Sequence, residues 1–240
     1  MGKNDLNVFL NDLNALGVVL SQEQTEQFMQ YYEMLTEWNE RMNLTAITEY
    51  ADVMKKHFVD SLSIVKVKEF ASVTSLIDVG TGAGFPGLAL KIAFPDIHVI
   101  LLDSLHKRIL FLNAVIEKLG LAGVEAIHGR AEDSARSYKL RERFDLSVSR
   151  AVANLSTLSE YCLPFVKKGG IFVAYKSGEV RQEAEAAGRA FSLLGGDLMD
   201  NLEFTLPYSD IKRSFLVVRK VKTTPEKYPR RSGLPGKEPL

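Results

Sequence analysis

SLIDVGTGAGFPGLALKIAFPDIHVILLD, residues 75–103, decides the fold. It opens on a short apolar run (Leu76, Ile77, Val79) of the kind that forms a buried strand. The run breaks at Gly80-Thr81-Gly82-Ala83-Gly84-Phe85-Pro86-Gly87. Glycines at this spacing admit backbone conformations closed to other residues and let a ligand approach main-chain N–H groups with no side chain in the way. Pro86 suits the first turn of a helix, where its missing N–H costs nothing. Leu88, Leu90, Ile92 and Ala93 continue as that helix, Pro95-Asp96 ends it, and His98–Leu102 reads as a second buried strand ending at Asp103. The unit is strand, loop, helix and strand, with a carboxylate about twenty residues beyond the glycines.

Two cofactors suit such a unit. Gly82-x-Gly84-x-x-Gly87 satisfies the dinucleotide fingerprint, with Asp103 placed for a ribose, so an NAD-dependent oxidoreductase stays open. Asp78, two residues before the first glycine, would repel a pyrophosphate but attract the sulfonium and ammonium groups of S-adenosylmethionine. The D-x-G-x-G-x-G order from Asp78 to Gly84 resembles the first motif of class I S-adenosylmethionine-dependent methyltransferases.

Working outward, 240 residues with 46% hydrophobic content hold one α/β domain with an extension. Thirty basic and thirty acidic side chains cancel, but unevenly. Residues 219–240 carry seven basic side chains (Arg219, Lys220, Lys222, Lys227, Arg230, Arg231, Lys237) against Glu226 and Glu238, so this segment is +5 and the remainder −5. A single cysteine, Cys162, excludes an internal disulfide and fits a reducing compartment. No apolar run approaches the roughly eighteen residues of a membrane helix, and no charged-then-apolar leader opens the chain. The expectation is a cytoplasmic protein. His57, His98, His106 and His128 are dispersed and unaccompanied by cysteine, so no metal site is expected.

Residues 1–70 read as a helical extension. Leu6, Phe9, Leu10, Leu13 and Leu16 recur at helical spacing up to Gly17; Ser21 with Gln24 makes a capping box. Phe28, Tyr31, Tyr32, Leu35, Trp38 and Met42 then mark one face of a long amphipathic helix, read as core rather than as a base-stacking surface. A third helix over Asp52–Val65 puts His57 and Asp60 on one face, where they can pair. Beyond Asp103, Ser104 is placed to cap a helix reaching Gly120. Strands follow at Val124–Ile127, Phe144–Val148 and Ile171–Tyr175, with helices over Leu155–Val166 and Glu179–Leu194 and a turn at Gly169-Gly170. Strands near Glu203–Leu206 and Phe215–Val221 complete residues 71–221 as a doubly wound, largely parallel sheet. The loop 129–133 falls beside the glycine loop, where such folds bind ligands.

Residues 222–240 hold half the prolines and little that is apolar, so they read as an extended tail rather than a packed one. Tyr228-Pro229-Arg230-Arg231 sets an aromatic beside paired arginines, which suits stacking on a base and holding phosphates. A solvated terminus is the alternative. Lys55-Lys56 and Arg136, Arg141 and Arg143 are further basic candidates for phosphate contact, the last three better read as a solvated helix face.

Several motifs together resemble one family: Trp38-Asn39-x-x-x-Asn43-Leu44-Thr45, His57-x-x-Asp60-Ser61-Leu62, Asp78 to Gly87, Asp103-Ser104-x-x-Lys107-Arg108, Arg130-Ala131-Glu132, Ser149-Arg150-Ala151-Val152-Ala153 and Tyr228-Pro229-Arg230-Arg231. The chain resembles RsmG, also called GidB, over nearly its whole length. The resemblance implies a Rossmann-like class I fold and methylation of a guanine N7 in 16S rRNA, free or in an assembling small subunit, by a monomer needing no metal. It implies cofactor contacts at Gly80 and Phe85 in the loop that also holds Gly82 and Gly84, at Asp103 on the ribose, at Ala131 and Glu132 beside the adenine, and at Arg150 near the methionine end or the substrate. Arg150 also reads as a structural ion-pair partner. No Asn/Asp-Pro-Pro-aromatic motif grips an exocyclic amine, and Cys162 falls in an apolar helix, so neither amine transfer nor a covalent route is expected. Guanine N7 has a lone pair and no proton to lose, so no catalytic acid or base is named.

Overall fold

The computed structural model describes residues 3–150, 153–178 and 180–240, with side chains from Leu6 onward. Ala151 and Val152 of the Ser149–Ala153 motif and Glu179 at the start of the expected helix over Glu179–Leu194 lie outside the described residues.

Helix α1 (Lys3–Ala15) ends at Gly17, whose φ of 76° turns the chain. The capping box starts α2 (Gln22–Met42): Ser21 Oγ accepts from Gln24 N at 3.1 Å and Gln24 Oε1 from Ser21 N at 2.8 Å. The Gln24 amide also donates to the carbonyls of Ile92 and Ala93, so the residue that starts the helix docks it on the α/β domain. The third helical run is segmented into α3 (Tyr50–Val53), a π-helical turn (Met54–Val59), α4 (Asp60–Leu62) and a 3-10 turn (Ser63–Lys66). Phe28, Tyr31 and Phe58 share one apolar core with Leu88, Leu101 and Val173, so the extension is packed onto one face of the sheet.

The rest runs β1 (Ser75–Val79), α5 (Gly87–Ala93), β2 (His98–Asp103), α6 (His106–Lys118), β3 (Val124–His128), α7 (Ala131–Ser134), β4 (Phe144–Ser149), α8 (Leu155–Cys162), β5 (Val166–Ser177), α9 (Arg181–Leu194), β6 (Gly196–Thr205), β7 (Lys212–Lys220) and α10 (Leu234–Lys237). Strand order is β3-β2-β1-β4-β5-β7-β6. β1 to β5 are mutually parallel, and β7 lies antiparallel to both β5 and β6. From β1 the chain winds outward to β2 and β3 on one side and then returns to β4 on the other, so a crevice opens at the carboxyl ends of β1, β2 and β4. No helix among the described residues is long and apolar enough to cross a membrane.

Three local expectations are corrected. Gly169-Gly170 is not a turn: β5 begins at Val166, which pairs with Phe144, and an irregularity shifts the register before Ile171 meets Leu146. A Cβ at Gly170 would come within 2.5 Å of the Asp145 carbonyl, so this glycine serves close strand approach. Ser104 does not cap α6; Leu105 occupies that position and its N–H donates to Asp103 Oδ1 at 2.9 Å.

The third correction is the tail. Residues 222–240 are packed against the domain, and Tyr228 is 7% exposed. The buried Lys220 amine donates to Leu163 O, Thr224 Oγ1 and Glu142 Oε1 at 2.6, 2.7 and 3.0 Å. Arg141 donates to the carbonyls of Thr224 and Tyr228, and Arg136 to that of Pro229. Arg141 is thus engaged by the tail and is not a solvated residue, whereas Arg136 and Arg143 are exposed, as expected, with Arg136 also donating to the tail. Composition misleads here because a few apolar side chains, Tyr228 foremost, are joined by polar main chain and arginines in the packing.

Candidate functional site

The crevice is organised by the glycine loop. Gly80, Gly82 and Gly84 adopt φ of 74°, 63° and 99°, a region other residues rarely enter. They split into two kinds. A Cβ at Gly80 or Gly82 would meet nothing within 4 Å, so both border open space. A Cβ at Gly84 would meet Tyr31 Oη at 2.5 Å, and one at Gly87 would meet Leu101 Cδ2 at 2.5 Å, so these two are packing positions.

The main-chain N–H groups are not available as the fingerprint suggests. Gly80 and Thr81 both donate to Leu102 O, Gly82 to Asp103 Oδ2, Gly84 and Phe85 to Thr81 O, and Gly87 to Asp78 Oδ2. Asp78 itself is 0% exposed and borders neither chamber described below. Its Oδ2 also accepts from Thr81 Oγ1 at 2.7 Å, and its Oδ1 has no hydrogen-bond partner among the described residues. Burial pushes its carboxyl up to about 6, against the pull of those hydrogen bonds. The expectation that Asp78 faces a ligand cation is therefore corrected: it locks the loop to the start of α5 from beneath.

Asp103 stands between two chambers. It is 2% exposed; Oδ2 accepts from Gly82 N at 2.9 Å and Arg108 Nη1 at 3.0 Å, Oδ1 from Leu105 N. A carboxylate has about four lone-pair sites, so three bonds leave room for a hydroxyl donor. The inner chamber, about 190 Å³, is lined by Gly80, Asp103, Ser104, Ala131, Glu132 and Tyr161 among others. The middle chamber, about 350 Å³, shares Gly80, Asp103 and Ser104 and continues past Gly82 and Phe85 to Thr45, His57, Arg108 and Arg150.

At that far end Phe85 is the centre of a stack. Tyr31 lies on one side at 5.3 Å and His57 at 4.5 Å, with the Arg150 guanidinium 5.1 Å from the Phe85 ring. The Tyr31 hydroxyl donates to Ala83 O, tying α2 to the loop. Arg150 donates to Asp60 Oδ2 at 2.9 Å, to Lys56 O, and sits 3.1 Å from His57 Nδ1. Guanidinium only donates, so Nδ1 accepts and the proton sits on Nε2, 2.9 Å from Thr45 Oγ1. His57 and Asp60 thus do not pair with each other; both hold Arg150. Burial first, then the Arg150 charge, pushes His57 down to about 3.

The local sequence explains this wall. Asn43 caps α2 in the left-handed region at φ 50°, which asparagine tolerates. Asn39 Oδ1 then accepts from Thr45 N, folding Leu44-Thr45 over the loop. The π turn, a feature concentrated at functional sites, carries Lys56 and His57 opposite. An outer chamber of about 750 Å³ opens past Arg150, lined by Lys56, Asp60, Tyr175, Lys176, Glu183 and Arg213.

The expected RNA contacts divide. Lys55 is turned inward, paired with Asp12 at 2.5 Å and donating to Pro207 O, so it is withdrawn. Tyr228 is buried and Arg230 is clamped to Glu160, so both are withdrawn for the same reason. Lys56, paired with Asp52 on the surface, and Arg231 remain exposed to a partner. Arg213 was not legible in the sequence: it joins Arg150 on Asp60 at 2.7 Å from a position 153 residues away in sequence. A carboxylate buried at position 60 was the available signal, since a buried charge calls for a counterion.

Comparisons with known proteins meet this geometry. Residues 24–205 match the family model GidB, rRNA small subunit methyltransferase G. The chain is 53% identical over 236 residues to the ribosomal RNA small subunit methyltransferase G of Lachnoclostridium phytofermentans, covering 98% of each, and 50% identical over 233 residues to that of Acetivibrio thermocellus, covering 97% of this chain and 96% of that one. A mutant of MtNAS in complex with S-adenosylmethionine is similar in fold, with a TM-score of 0.52 and 16% identity, over 90% of this chain and 78% of that one. With a family model matched over residues 24–205 and about half of all positions shared over nearly the full length, this chain belongs to the GidB family, the rRNA small subunit methyltransferases G.

Proposed function

We propose that the crevice binds S-adenosylmethionine along the strand ends and transfers its methyl group to N7 of a guanine in 16S rRNA. The observation that carries the choice of cofactor is the committed amides. A dinucleotide pyrophosphate sits on free N–H groups at a helix start. Here Gly87 N donates to a buried carboxylate, and the N–H groups of Gly80, Thr81, Gly82, Gly84 and Phe85 are each engaged by protein acceptors. What the loop offers is space above Gly80 and Gly82 and carboxylate acceptors, which suit a neutral ribose and a cationic methyl donor.

Bound S-adenosylmethionine supplies an electrophilic methyl on a sulfonium. The chain's residues do the rest. Asp103 accepts the ribose hydroxyls; Ala131 and Glu132 border the adenine; Gly80, Gly82 and Phe85 shape the middle chamber; and Arg150 stands where methionine and substrate meet. Gly84 contributes by packing, letting Tyr31 approach the loop. Transfer to N7 would use the lone pair of the base as the S–CH3 bond breaks, releasing neutral S-adenosylhomocysteine and leaving the positive charge on the methylated guanine; no proton is lost, so alignment replaces proton transfer. The site agrees: the His57 lone pair is spent on Arg150, and Cys162 is buried with its thiol pushed up by burial. A ribosomal RNA substrate fits action in the cytoplasm, and we propose that the enzyme acts there as a monomer.

Incubation with methyl-labelled S-adenosylmethionine and either 16S rRNA or small subunits tests this. Label is expected at a guanine N7. Nicotinamide binding, or cofactor binding without transfer to either substrate, overturns it.

A further inference from the structure

We infer that the C-terminal segment is the outer wall of the adenine end of the crevice, with Arg230 a positioning residue for adenosine; this rests on the methyl-donor reading above. α7 brings Ala131 and Glu132 into the inner chamber, and α8 brings Leu158 and Tyr161. Both are short, four and eight residues, and the tail crosses both. On α7, Glu132 Oε1 accepts from Gly233 N at 2.7 Å and Asp133 Oδ2 from Ser232 Oγ at 2.8 Å. On α8, Thr157 Oγ1 donates to Pro235 O at 3.0 Å. Glu160, next to Tyr161, accepts the Arg230 main-chain N–H at 2.6 Å and its guanidinium at 2.7 to 3.0 Å. Glu160 is 0% exposed and the Arg230 side chain 21%.

A two-pronged guanidinium–carboxylate pair fixes distance and orientation together, which a point charge does not. The tail therefore sets the separation of α7 and α8, and with it the width of the chamber between Glu132 and Tyr161. Arg230 is committed to this clamp, so its charge serves the pocket rather than a phosphate.

Calorimetry of the full chain with S-adenosylhomocysteine and with 5′-methylthioadenosine tests the inference, at a temperature where circular dichroism shows each variant folded. Arg230→Ala should weaken both ligands by about tenfold and by the same factor, since they share the adenosine. Arg230→Lys, which keeps the charge and loses the fork, should weaken both by roughly threefold. Turnover at saturating cofactor and the salt dependence of RNA binding should change little, a split that general loosening of the fold would not produce. Unchanged nucleoside affinity in folded Arg230→Lys and Arg230→Ala overturns the inference. A shallower salt dependence with intact nucleoside affinity also overturns it and makes the tail an RNA clamp. Failure of the unsubstituted protein to bind either ligand would instead sink the methyl-donor reading.

Discussion

The two ends of the crevice are walled by opposite means. Around Asp103 the chain presents carboxylates, each steadied by a main-chain N–H: Gly82 and Leu105 on Asp103, Gly233 on Glu132. Around Arg150 it presents cations, with Arg150 and Arg213 sharing Asp60 and Lys56 and Lys176 on the rim. The first end matches a neutral nucleoside whose hydroxyls donate; the second matches a polyanion. The difference also explains why both chain ends reach the site. The N-terminal extension brings Thr45, Lys56, His57 and Asp60 to the cationic end, and the C-terminal segment braces α7 and α8 behind the inner chamber, although both segments look peripheral in sequence.

The largest effect should come from breaking the cationic end. Arg150→Ala leaves His57 Nδ1 and one Asp60 oxygen without a donor, though Arg213 still neutralises Asp60. Turnover should fall by about 100-fold or more, while S-adenosylhomocysteine affinity should move by only about threefold, roughly 0.7 kcal/mol. Equal losses in both would erase the distinction between the ends. Asp103→Ala is the converse: loss of a charge-assisted hydrogen bond of about 1.5–3 kcal/mol should weaken the cofactor about ten- to a hundredfold. Calorimetry showing unchanged affinity would refute the ribose contact.

Titration of the two ends should pull stability in opposite directions. The Asp78 carboxyl, under the nucleoside end, is raised from 3.8 to about 6. The folded state then holds the extra proton between those values, so this stabilisation is present in acid and lost as pH rises through 6. His57, in the cationic end, is lowered from 6.5 to about 3, so its contribution is present above 6.5 and lost as pH falls toward 3. Each acts with a slope of up to about 1.4 kcal/mol per pH unit. Between pH 4 and 6 the two oppose. Asp78→Asn should therefore make melting more acid-sensitive in that window and His57→Gln less so. Thermal melts showing parallel profiles for all three proteins would remove the assignment.

Much of this was legible in the chain. The strand–glycine–helix unit, the Ser21–Gln24 box and the carboxylate at 103 rest on local rules, and local contacts realise them. What was not legible depends on partners far apart in sequence. Composition reads residues 222–240 as solvated because it counts apolar side chains, yet Glu160, fully buried in the apolar helix Leu155–Cys162, required a cation that the tail supplies. Asp78 was misjudged for a related reason. Its charge is evident from sequence, but whether it points up into the ligand space or down onto Gly87 N is set by packing against α5.

The smallest effect separates the two exposed cations left as RNA contacts, one at each end. Lys56 lies on the rim of the outer chamber in an exposed i,i+4 pair with Asp52, an arrangement worth only about 0.3–0.5 kcal/mol to the fold. Arg231 is exposed just past the clamped Arg230, beside the nucleoside wall. Neither substitution to Ala should shift melting appreciably. If RNA enters over the cationic end, Lys56→Ala removes one phosphate contact and lowers the slope of log affinity against log salt by about 0.7–0.9. Arg231→Ala should then leave the slope within error, because the strand never crosses the nucleoside wall. The reverse pattern, slope lost at Arg231 and kept at Lys56, would mean that RNA tracks along the tail and that the polarity of the crevice does not set its path.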